Sequence, residues 1–141
     1  MVKTMDAAHK AEEIVDEFAF FDDWEERYQH LIDLGRKLPP LDPAYMTDEN
    51  RLRGCQSVVH FKADYEDPLM QFHAGSDAAI VQGLIALMLR VYSGQTPQDI
   101  LATPPEFLQK IGLDEHLSPT RKNGLASLVT AIMTAAGNAS R

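Results

Sequence analysis

The chain has 141 residues, 45% hydrophobic and 24% charged, with a formal net charge of −8. That is the composition of a soluble globular chain long enough for one domain with a substantial core. It excludes a membrane-spanning helix, since no apolar run approaches ~20 residues, and it argues against a general nucleic-acid binder, whose phosphate contacts need clustered cations.

An acidic surface suits solubility and docking on a more basic partner. Residues 1–10 hold no apolar signal core, so no secretory leader is expected. A single cysteine fits a reducing, cytoplasmic location. One unit is expected over residues 1–141, with residues 1–10 polar and frayed.

The first helix is read from Ile14, Val15, Phe18 and Phe21, which share one face. Asp22 or Asp23 is placed to cap a second. Trp24, Tyr28, Leu31, Ile32 and Leu38 form its apolar stripe, expected in the core, with Glu25, Glu26 and Arg27 outside. Pro39-Pro40 stops it, and residues 41–50 read as a loop.

The middle of the chain reads as strands. Val59, Phe61, Ala63 and Tyr65 alternate with Val58, His60, Lys62 and Asp64. A turn follows at Glu66-Asp67-Pro68, and Met70, Phe72 and Ala74 alternate again, predicting a hairpin. Leu52 suggests a short third strand.

Ser76 or Asp77 is placed to cap a helix over residues 78–92, apolar nearly all round and so expected at the centre of the molecule. Ser93-Gly94 ends it. Thr96-Pro97-Gln98-Asp99 opens a short helix, broken by Pro104-Pro105. Residues 106–111 suggest another. Ser118-Pro119 opens the last helix, with a stripe of Leu125, Leu128, Val129, Ile132 and Met133. The sum is an α+β domain: a small three-stranded antiparallel sheet flanked by helices.

Cys55, in Arg53-Gly54-Cys55-Gln56-Ser57, is the only cysteine. One thiol makes no intramolecular disulfide, no Cys-rich zinc site and no four-cysteine cluster. Two readings stay open: a buried small hydrophobe, or a nucleophile working through one sulfur. Gly54 lets the backbone turn, and the strand begins only after Ser57, so Cys55 reads as the tip of a turn. Arg51 and Arg53 lie near in sequence, and a cation beside a thiol raises its thiolate fraction.

Further blocks recur in order: Asp23-Trp24-Glu25-Glu26-Arg27-Tyr28, Ile32-Asp33-Leu34-Gly35, Gly75-Ser76-Asp77-Ala78-Ala79-Ile80-Val81, Thr96-Pro97-Gln98-Asp99-Ile100 and His116-Leu117-Ser118-Pro119-Thr120-Arg121. With the cysteine motif they resemble the SufE family of sulfur acceptors, over residues 18–132. The resemblance implies a SufE/NifU-like fold and a partner, a pyridoxal-phosphate cysteine desulfurase that holds sulfur as a persulfide. It implies that Cys55 takes that sulfur, stimulates the desulfurase and passes sulfur to an iron–sulfur scaffold or another downstream acceptor. The chain itself would then be a carrier and activator, with no cofactor or metal of its own, as monomer or homodimer.

By motif position, the resemblance makes Arg121 a stabiliser of anionic sulfur or a partner anchor. The bland alternative is a first-turn cation held by solvent, Asp114 or Glu115. Arg53, Gly54, Gln56, Ser57, Asp77 and His116 would shape the turn or meet the partner; Asp77 doubles as a helix cap and His116 as a structural histidine or proton shuttle. Two departures stand out: His60, where the family commonly has tryptophan, and Gln109, where it has glutamate. The five histidines show no metal-ligand spacing. Competing readings are a cluster scaffold, which needs more thiolates; a Cys–His hydrolase or thiol peroxidase, which needs a base or resolving partner at the thiol; and an interaction module with an inert thiol.

Overall fold

The computed structural model describes residues 6–140. Among the described residues, seven helices and one hairpin follow in the order α1 (Ala7–Ala19), α2 (Trp24–Lys37), β1 (Val59–Glu66), β2 (Leu69–Ser76), α3 (Ala79–Tyr92), α4 (Pro97–Leu101), α5 (Phe107–Lys110), α6 (Leu113–His116) and α7 (Pro119–Ala139). Two single 3-10 turns, Pro43–Tyr45 and Asp48–Asn50, punctuate the connection from α2 to β1. Among the described residues no helix is long and apolar enough to cross a membrane.

The helix ends follow the local chemistry. The Asp23 carboxylate accepts from the Glu26 amide at 2.9 Å and starts α2. Acids occupy the first turn of that helix and bases the last, complementing its dipole. Thr96 accepts from Asp99 N at 3.1 Å and Ser118 from Arg121 N at 3.3 Å, opening α4 and α7. Each is followed by proline at the first helical position, where the missing N–H costs nothing.

Helix α3 is the axis of the fold. Ile80, Leu84, Ile85, Leu87, Met88, Val91 and Tyr92 are all buried. It packs against α2, β2, α1 and α7, which accounts for an apolar surface on almost every side. The Tyr92 hydroxyl donates to the Thr103 carbonyl at 2.7 Å, so the polar atom carried into the core is satisfied.

The strands pair antiparallel from Val59↔Ser76 to Glu66↔Leu69. Met70, Phe72 and Ala74 are buried, as their alternation predicts, while Tyr65 is turned to solvent and donates to Asp67 Oδ1 at 2.9 Å. Beyond β2, Met70 exchanges backbone hydrogen bonds with Gly94 and Gln95 at 2.7 and 2.8 Å. That contact covers the sheet edge.

Four expectations are corrected. Among the described residues the sheet has two strands, not three. The segment before Cys55 reaches β1 only through an Arg51↔His60 bridge and one bond from Leu52 N to Val59 O at 2.8 Å. A 3-10 turn ends just before it and the glycine turn begins just after, leaving no length for a strand. Neither Ser76 nor Asp77 caps α3: its N-cap position is Ala78 and no side chain bonds the first-turn amides, Asp77 being exposed. The side-chain bonds at this end serve the residues before the helix: Ser76 Oγ accepts from Ala78 N at 3.2 Å, and Gln82 Oε1 accepts from Ser76 N at 2.8 Å. The fraying expected of residues 2–10 does not extend to the first turn of α1: Ala7 is fully buried and its amide donates to Asp99 Oδ2 at 2.9 Å. Residues 2–5 lie outside the described ones. Trp24 and Tyr28 are half-buried at the edge of the core instead of inside it.

Candidate functional site

The cysteine turn is a loop tied at its base by the Leu52–Val59 backbone bond. At its tip Gly54 adopts φ +88, a left-handed conformation that other residues enter only at a cost. A second constraint acts at the same position: a Cβ on Gly54 would lie 2.5 Å from Ser127 Oγ of α7. Glycine therefore both sets the turn and allows it to rest on the helix.

Cys55 is half-sheltered there. Its sulfur lies 3.8 Å from the Gly124 carbonyl of α7, to which the S–H donates. A Cβ on Gly124 would come within 3.5 Å of the sulfur. A small cavity of about 30 Å³ opens beside it, enough for one water or an atom of similar size. Leu52, Val59, Val81, Leu84, Ile85, Leu125 and Leu128 give it apolar walls; Gln56, Ser57, Thr120 and Arg121 are its polar lining side chains. Burial pushes the thiol above its ordinary value, because an apolar surround disfavours the thiolate. The activation that neighbouring Arg51 and Arg53 suggest is not realised here: both side chains are exposed and line a different groove, on the far side of the turn.

Arg121 lines the cysteine cavity from the first turn of α7. Its guanidinium carbon lies 5.9 Å from the centroid of the Tyr28 ring, within cation–π range. Among the described residues it makes no ion pair with Asp114, Glu115 or any other carboxylate. Tyr28 meets Trp24 edge-on at 6.4 Å, and Trp24 stacks on His116 at 4.6 Å and 10°. His116 is thus part of an aromatic row leading to Arg121, not of the cavity lining. Asp77 lines neither groove. His60 sits in the bridge to Arg51, and Gln109 is exposed on α5.

Sequence reasoning passed over Gly124, Ser127 and Tyr28 as members of the site. A signal existed for Gly124: glycine inside a helix costs about 1 kcal/mol relative to alanine, which points to a packing reason. The roles of Ser127 and Tyr28 depend on how three distant segments meet and leave no local mark.

A family model described as "Fe-S metabolism associated domain", the SufE domain, matches residues 12–136. An uncharacterized SufE-like protein of Rhizobium meliloti is 43% identical over 130 residues, 89% of this chain and 93% of that one. A second, of Rhizobium etli, is 46% identical over 126 residues, 86% of this chain and 85% of its own. One from Synechocystis is 35% identical over 123 residues, covering 87% and 77% respectively. The solution structure of a hypothetical protein from Thermus thermophilus superposes with a TM-score of 0.76 at 25% identity, over 92% of this chain and 95% of that one. The chain belongs to the SufE family, whose domain is associated with iron–sulfur metabolism.

Proposed function

We propose that this protein accepts sulfur from a cysteine desulfurase onto Cys55, stimulates that enzyme and hands the sulfur on to iron–sulfur cluster assembly. The observation that carries the reading is the placement of the single thiol: at the tip of a glycine-set turn, its sulfur against the Gly124 carbonyl and beside an apolar cavity. Family membership adds to it.

The desulfurase presents a persulfide, enzyme–S–SH. The Cys55 thiolate attacks the outer sulfur. The S–S bond of the enzyme breaks, its cysteine leaves as thiolate, and Cys55–S–SH results. The sulfur moves with no net oxidation or reduction, and its proton stays with it. Because burial holds the resting thiol protonated, attack requires the turn to leave α7, where the sulfur meets water or the partner's cations and ionises. At rest, the cavity beside the sulfur has room for one further atom. Arg121, with no carboxylate partner among the described residues, supplies positive charge to the Cys55 persulfide once it ionises, or to the partner. Pyridoxal phosphate belongs to the desulfurase, and this chain acts as carrier and activator, not as an enzyme turning over alone. No histidine among the described residues lines the cavity, so a Cys–His hydrolase has no base in place.

Intact mass spectrometry after incubation with desulfurase and L-cysteine tests the reading. A gain of one sulfur, removed by reductant and absent in Cys55→Ala, is expected. Undiminished stimulation of the desulfurase by Cys55→Ala, or no sulfur gain by folded wild-type protein, refutes it.

A further inference from the structure

The far side of the cysteine turn carries a second feature. A groove of about 890 Å³ runs along α7, bounded at one end by Arg51, Leu52, Arg53 and Gly54. Every side chain that α7 contributes to it is asparagine, serine, threonine or alanine. Ser127, Thr130, Thr134 and Asn138 recur at helical spacing, so their polar atoms stand in a row along one face. In a chain of net charge −8, no acidic residue lines this groove. Neither Arg51 nor Arg53 meets a carboxylate within ion-pair distance among the described residues.

We infer that this groove is where the desulfurase docks, through a carboxylate-bearing segment laid along α7 with its acids toward Arg51 and Arg53. The inference rests on the sulfur-acceptor reading above and specifies the surface it uses. Three observations choose the occupant. The charge of the rim is opposite to that of the rest of the molecule, which selects an acidic partner surface. The small side chains of α7 let a partner backbone come close, with hydroxyls and amides to bond it. From Ser127 to Asn138 the row extends about 16 Å at 1.5 Å per residue, longer than a free carboxylate or phosphate and matched to a stretch of chain. The groove also ends at the cysteine turn, where Gly54 rests on Ser127. A segment seated there abuts the element that must move for the thiol to emerge.

The test is a titration of the full chain with the desulfurase at low and high salt, followed by anisotropy, with melting curves to verify the fold. R51E/R53E is expected to weaken binding tenfold or more and to flatten its salt dependence. Thr134→Glu lies ten residues beyond Gly124, about 15 Å along the axis, too far to disturb the turn. It is expected to weaken binding several-fold, whereas Lys110→Glu on α5 leaves it within twofold. Wild-type affinity in R51E/R53E and Thr134→Glu overturns the inference. So does a wild-type chain that does not bind, or variants that lose only self-association, which would assign the groove to a second copy of this chain. Sulfur gain by the wild-type protein is scored separately by mass, so a failed groove and a failed sulfur-acceptor reading give different results.

Discussion

Cys55 keeps its proton at rest because its surroundings are apolar and its two nearest arginines in sequence face elsewhere. Since only the thiolate reacts, alkylation by iodoacetamide is expected to be slower in the folded protein than in the unfolded chain, with its rise displaced to higher pH. Rates measured across pH, with and without denaturant, test this; coincident profiles refute it. The linkage has a definite sign. A raised folded value means the native state holds its proton more tightly. That contribution to stability is complete below the unfolded value of ~8.5 and is lost as pH rises through the folded one. Arg121, whose guanidinium lies over the Tyr28 ring and meets no carboxylate among the described residues, is expected to matter to transfer more than to folding. Arg121→Ala should slow sulfur acceptance roughly 10- to 100-fold, the worth of a hydrogen bond to a charged group, with little change in melting temperature; a rate equal to wild type refutes the role. At this scale the turn was readable, because Gly54 and the late start of the strand both act locally. The shelter was not, because the carbonyl that receives the thiol lies 69 positions along the chain.

The helices come together through glycine. A Cβ on Gly83 of α3 would lie 2.2 Å from the Leu31 carbonyl oxygen, and one on Gly35 of α2 would lie 2.7 Å from Gly83 N. Both obstacles are backbone, which cannot rotate aside, so α2 and α3 owe their close approach to the two missing methyl groups. Gly83→Ala is expected to destabilise by about 1–3 kcal/mol, the usual cost of overpacking, read as a lower denaturant midpoint. An unchanged midpoint would show that the helices separate freely. Removing the α7 cap with Ser118→Ala should cost about 0.5–2 kcal/mol by the same measurement. Helix starts were legible in the sequence wherever a single side chain closes its own first turn, as at Asp23, Thr96 and Ser118. Ser76 and Asp77 misled because the N-cap position falls on Ala78, which has no polar side chain to offer, and Ser76 and Gln82 turn their oxygens to amides that precede the helix. The four-residue helix α6 also escaped notice, because a single turn gives an apolar repeat no second turn in which to recur.

Across the whole molecule, one ionic cluster joins three helices. Glu17 of α1 takes two 3.1 Å bonds from the Arg90 guanidinium of α3 and one 2.7 Å contact with His30 of α2. Burial alone would push the Glu17 carboxyl up, but the bonds and charges of Arg90 and His30 together outweigh it and hold the carboxyl below its ordinary value. The stabilisation is therefore present above the unfolded carboxylate value of ~4.3 and lost as pH falls through the folded one. Glu17→Gln should flatten the acid side of the curve of melting temperature against pH; a parallel curve refutes the linkage. The apolar pattern announced the central position of α3, but nothing in it paired residue 17 with residue 90, since ion pairs across helices carry no period.

Trp24 is the sole tryptophan, and its indole stands against His116 and beside the Tyr28 ring that carries Arg121. The molecule thus contains its own optical probe, one contact removed from the sulfur site. If Arg121 leaves Tyr28 to meet a partner or a persulfide, the indole's emission should shift without any dye attached. Stopped-flow fluorescence of the unlabelled protein can then time the opening of the site, with Arg121→Ala as the silent reference.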